Sequence, residues 1–179
     1  MLMPFMSPFT VHNLGIAIER LPLIYMVTGV AAMIAGPLIG RASDAFGKFM
    51  VFTFGCAVAI VMVIIYTHLG VTPLSIVMLV NVLLFIGVSS RMISSTALVS
   101  AIPNLHDRGS YMAISASIQQ FSGGIAAAVG GLIVTLSPSG SLEHFDVLGY
   151  VLVTTTLISL GMMYLISRRI EAPAVAPAV

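Results

Sequence analysis

The chain has 179 residues, of which 59% are hydrophobic and 7% charged, with a formal net charge of +1. An ordinary soluble domain carries roughly 25% charged residues, so a water-covered globule is excluded, and no basic patch interleaved with aromatics is present to bind nucleic acid. One cysteine, Cys56, lies inside an apolar run, which excludes a disulfide framework and makes a buried inert thiol the simplest role for it.

The opening MLMPFMSPFTVHNL is apolar but lacks a basic leader and a small-residue cleavage pattern, so it is not taken as a signal peptide. Residues 1–14 are expected to be the C-terminal part of a truncated transmembrane helix, since fourteen residues at 1.5 Å each reach at most ~21 Å of a ~30 Å core. Five stretches long enough to cross follow, at about 21–40, 49–67, 74–101, 111–136 and 147–167, with Gly70 and Pro73 marking the turn between the second and third. Backbone groups in lipid must be paired within their own segment, and continuous apolar runs rather than alternation exclude a barrel. The expected fold class is an all-α membrane protein, a helical bundle of five full transmembrane helices plus a partial one. Residues 168–179, ending EAPAVAPAV, are expected to form a disordered cytoplasmic tail.

Orientation is read from the basic residues. Arg41 and Lys48 lie between the first two full spans, Arg108 between the third and fourth, and Arg168 with Arg169 after the last. Five basic residues thus fall on one side against one, Arg20, on the other, where Glu19, Glu143 and Asp146 also lie. The positive-inside rule makes the 41–48 and 103–109 connections and the C-terminus cytoplasmic.

Arg91 is the one ionised residue inside the apolar runs, with no acidic residue in any span to pair it. Such a charge faces a water-filled cavity or a partner, or else snorkels to headgroups if the helix emerges early. Gln119 and Asn81 are further candidates for a substrate or ion pathway, with interhelical hydrogen bonding as the alternative for each and for Gln120. Gly36, Gly123, Gly124, Gly130 and Gly131 are expected to allow close helix packing, the stretch GGIAAAVGG forming a face for a neighbour. The four His residues share no ligand spacing, so no metal site is expected. No cofactor-binding or catalytic pattern is present, and the chain is expected not to be an enzyme.

GRASDAFGK, on Gly40, Asp44, Gly47 and Lys48, resembles the G-x-x-x-D-R-x-G-R-[RK] signature of major facilitator superfamily transporters, with Ala45 and Phe49 where the signature carries basic residues. IPNLHDRGSYMAISASIQQFSGGIAAAVGGLIV resembles the tenth-to-eleventh-helix region of the drug- and sugar-exporter branches. The resemblance implies a six-helix half built of two inverted three-helix repeats, here the C-terminal half with a truncated seventh helix. It also implies transport of small organic solutes by alternating access, as a proton-coupled secondary exporter in a bacterial cytoplasmic membrane. Arg91 with Gln119 would line one wall of the substrate site, while Gly40, Asp44, Gly47, Lys48 and Arg108 would form the cytoplasmic gate, Asp44 capping the next helix or pairing with Arg108. The partners implied are the lipid bilayer, a small-molecule substrate, and a missing N-terminal half or a second copy. A non-transporting scaffold subunit or transporter remnant is the competing expectation.

Overall fold

The computed structural model describes residues 1–100, 102–104, 106–138 and 140–171. Most of the expected tail, from residue 172 onward, lies outside the described residues. Among the described residues the helices are α1 (Met3–His12), α2 (Leu21–Phe46), α3 (Lys48–Thr67), α4 (Leu74–Val99), α5 (Arg108–Ile133) and α6 (Phe145–Glu171). A 3-10 turn at Ile18–Arg20 leads into α2, and two short antiparallel strands, β1 (Thr135–Leu136) and β2 (Leu142–Glu143), join α5 to α6.

Among the described residues four helical segments are long and apolar enough to cross a membrane: Ile18–Phe46, Lys48–Thr67, Leu74–Val99 and Phe145–Arg168. The fifth expected span is a helix, α5, of 26 residues, but Gln119, Gln120 and its many Ser and Gly residues leave it less apolar than the others. Expected and observed boundaries differ most at two places, each for a local reason, and α6 also runs on to Glu171, so that the first residues of the expected tail are helical. The 41–48 connection is helical through Phe46, because RASDAF contains neither Gly nor Pro, and only Gly47 lies between α2 and α3. Gly47 adopts φ 95° and ψ 139°, a conformation open to a residue without Cβ, so the reversal takes one residue. The 111–136 span starts earlier, at Arg108, and stops at Ile133, where the chain extends into the hairpin.

α3 is the centre of the packing, lying against α4, α6 and α2, and α2 also packs on α4. A Cβ built on Gly55 of α3 would stand 2.7 Å from Ser90 Cβ and 3.0 Å from the Gly87 carbonyl of α4. One built on Gly87 would stand 2.9 Å from the Ala59 nitrogen, and one on Gly149 of α6 would stand 2.6 Å from Thr67 Oγ1. Backbones therefore touch along the α3–α4 seam, as small residues permit in membrane bundles, while on the α3–α6 seam the Thr67 side chain lies on the Gly149 backbone. With Thr67 beside Gly149 and the Phe49 ring 5.7 Å from Tyr164, α3 runs antiparallel to α6. Lys48 Nζ donates to the Ala97 carbonyl at 3.5 Å, which sets α3 antiparallel to α4 as well. The ends of α2, α4 and α6 consequently share one side with the starts of α3 and α5. That end carries Arg41, Lys48, Arg108 and Arg168, and the other carries Glu19, Arg20, Glu143 and Asp146.

The larger core cluster is built around Met6, Phe9, Ile24, Tyr66, Val77, Leu84, Phe145 and Leu148, towards the acidic end. A smaller one of Phe52, Cys56, Leu98 and Met163 lies towards the basic end. α1 is too short to span, yet it is well anchored. Phe9 stacks on Phe145 with centroids 4.0 Å apart, and the Thr10 hydroxyl donates to the Met6 carbonyl and lies 2.9 Å from the Tyr66 hydroxyl. Just past the helix, Asn13 Nδ2 donates to the Leu142 carbonyl and Asn13 Oδ1 accepts from the Leu142 N–H, both at 2.9 Å. The carboxamide thereby imitates a third strand beside β2.

Candidate functional site: the Arg91 cavity

Arg91 lies about 7 Å beyond the middle of α4 towards its basic end, at 1.5 Å per residue. Its side chain does not run on towards that end. Arg91 Nη1 donates to Thr156 Oγ1 at 3.2 Å, and Thr156 is the twelfth residue of the 24-residue Phe145–Arg168 segment. Since α4 and α6 run in the same direction, the guanidinium is drawn towards mid-membrane depth rather than towards the headgroups. Arg91 Nε is buried and has no hydrogen-bond partner. A membrane-centre Arg costs at least ~2.5 kcal/mol, and the Thr156 hydroxyl carries no charge to offset it.

Arg91 and Thr156 stand in the wall of a cavity of about 210 Å³ between α1, α3, α4 and α6. Met3 and Met6 of α1, Ile60 of α3, Phe85 of α4 and Leu152 of α6 supply much of the apolar lining, and no Asp or Glu contributes. Among the described residues the side-chain contact between a basic and an acidic residue is His106 Nδ1 with Asp107 Oδ1 at 3.1 Å, exposed in the connection between α4 and α5.

The other expected pathway residues are elsewhere. Gln119 is exposed on α5, as is Gln120, and neither α5 nor α2 forms part of the cavity wall, so Arg91 and Gln119 are not brought together within this chain. Asn81 is 1% exposed in α4, in the core rather than in the cavity wall, and its Oδ1 has no partner.

At the signature corner, Gly40 and Gly36 have open space where a Cβ would be, and Asp44 is exposed. The expected capping by Asp44 is not formed, because α3 has no side-chain cap, and Asp44 has no ion pair among the described residues. The one-residue reversal at Gly47 keeps Asp44 in the last turn of α2, facing outward. Lys48 instead ties the start of α3 to the end of α4. Arg108, exposed at the first turn of α5, borders a cleft with Met92 and Thr96 of α4 and with Ser100 just past its end.

The expected glycine packing divides in the same way. At Gly123 and Gly124 a Cβ would meet nothing within 4 Å, and at Gly131 only the Phe5 ring at 3.9 Å. Gly130 is close-packed, with the Phe5 ring 3.0 Å and the Met1 carbonyl 3.5 Å from the Cβ position. Sequence reasoning passed over Gly55, Gly87, Gly149, Thr156 and Asn13. Gly55 and Ala59, four apart, were a visible small-residue pattern, and Thr156 sits in a run of three threonines inside an apolar helix. Nothing local marks Asn13 as the partner of a residue 129 positions away.

A family model of the Major Facilitator Superfamily matches residues 1–178, and the chain belongs to that superfamily of membrane transporters. It is an integral membrane protein. No curated protein and no solved structure matches it.

Proposed function

We propose that the chain is the C-terminal half of a secondary transporter that moves small organic solutes by alternating access, in the manner of the proton-coupled exporters. The observation that carries this reading is the superfamily match over residues 1–178, spread across five long helices and a short one. The resemblance of GRASDAFGK to a facilitator signature and the open faces of α2 and α5 support it, since a second half needs a surface to rock against. The gathering of Arg41, Lys48, Arg108 and Arg168 at one end supports a cytoplasmic position for that end, in a bacterial cytoplasmic membrane.

The test is to isolate the tagged chain from its membrane in mild detergent, weigh the assembly, and reconstitute both it and the separated monomer into liposomes. The expected outcome is saturable solute flux by an assembly that contains a second copy or a six-helix partner, and none by the monomer. Flux by the monomer would remove the half-transporter reading, and an assembly without flux would favour the scaffold. Orientation is checked by single-cysteine labelling at positions 45 and 143 in a Cys56→Ser background, which should report opposite sides.

A further inference from the structure

We propose that the Arg91 cavity binds a small amphipathic anion, a carboxylate or similar acidic group carried on an apolar body. This names the class of molecule that the bundle recognises, and it rests on the transport reading only for what the bound molecule is used for. Occupancy itself is independent of flux.

Charge, direction and lining converge on that class. The guanidinium's neighbours are the Thr156 hydroxyl, which accepts from Nη1, and the Cys56 thiol, its Nε is buried without a hydrogen-bond partner, and no acid stands in the cavity wall. A cation held this way lacks a counterion, and a planar fork of N–H donors matches a carboxylate better than a point anion. Thr156 holds the group towards mid-membrane depth. The remaining wall is apolar, with Met3, Met6, Ile60 and Phe85 around the space, and methionine adapts to varied shapes. A strongly hydrated dianion such as inorganic phosphate would lose its water shell against this largely apolar wall. A neutral apolar molecule would fill the space and leave Arg91 unpaired. A monoanion with a hydrocarbon portion satisfies both the charge and the wall. Such an anion is available from two sources, a free organic acid or an acidic lipid, and both present the same oxygen acceptors to Arg91.

The experiment is equilibrium dialysis of labelled octanoate against the full chain in phosphatidylcholine nanodiscs. Saturable binding is expected, displaced by unlabelled octanoate and not by octanol or octylamine of the same chain length. Arg91→Gln should weaken octanoate binding by about tenfold or more, as loss of a charge-assisted hydrogen bond does. Arg91→Lys should weaken it less, Thr156→Val by about two- to threefold, and Arg20→Gln at the opposite end not at all. Replacing part of the lipid with phosphatidylglycerol separates the sources. Arg91-dependent loss of octanoate affinity assigns the site to lipid, and unchanged affinity assigns it to the free acid. The proposal is overturned if wild type shows no saturable octanoate binding, if octanol competes equally, or if both Arg91 variants bind as wild type does. Should Arg91→Gln fail to fold, the lysine variant and the octanol comparison on wild type decide. Binding without flux in any assembly would remove the transport reading and leave the site standing, whereas flux without saturable octanoate binding would do the reverse.

Discussion

α3 and α5 are both long helices, the first with one glycine and the second with five, yet they sit in the bundle in opposite ways. α3 is gripped on two sides, by α4 at Gly55 and Gly87 and by α6 at Thr67 and Gly149. In α5, richer in glycine, Gly130 is the buried residue, and the helix is held at its C-terminal end by α1, α6 and the hairpin that follows. The difference teaches that glycine number does not locate a helix seam. A seam forms where a small residue on one helix meets a backbone on the next, and the remaining glycines simply leave backbone uncovered. An uncovered small-residue face on a short-anchored helix is what a rocking half-transporter would offer to its partner.

The contrast is sharpest at Gly87. Gly87→Val places a branched side chain against the Ala59 backbone, which cannot rotate away, and should destabilise the bundle by about 3 kcal/mol in detergent unfolding measurements. Wild-type stability in that variant would show that the α3–α4 seam is loose. Asn13→Ala removes two hydrogen bonds to Leu142, which should cost about 2 kcal/mol and speed hydrogen exchange in the hairpin while leaving the α3–α4 seam protected. Equal loss of protection in both places would mean that α1 and α3 unfold as one unit. Gly130→Ala asks the Phe5 ring to move by a few tenths of an ångström, for about 1 kcal/mol. The smallest effect is expected at Gly123→Ala, where open space removes any clash and helix preference gives a gain of about 0.5 kcal/mol. A large loss of stability there would place a packing partner against α5 in the purified chain.

Helix positions were legible in the sequence because apolar runs of membrane length leave the backbone little alternative to helix. The corner at Gly47 was legible as a turn but not as a single-residue reversal, since the polar residues of RASDAF suggest a loop while their backbone preferences permit helix. Arg91 stood out by its charge alone. Its partner did not, because a threonine in an apolar helix ordinarily bonds the carbonyl four residues back, as Thr28 does to Ile24 and Thr67 to Val63. Pairing Arg91 with Gln119 on one wall required knowing which way α5 turns, and α5 has too few contacts for its pattern to encode that. The hairpin after α5 was missed because each strand has only two residues, shorter than any periodicity can reveal.

The Asn13 clip has a consequence for the ribosome. Its two halves are 129 residues apart in the chain, and synthesis at about 5–20 residues per second separates their emergence by roughly 6–26 s. Over that interval α2 to α5 can enter the bilayer while the amide of Asn13 has water as its partner, and Phe9 waits a similar time for Phe145. Of the helices described, α1 is thus made before the other five and is among the last to be fastened.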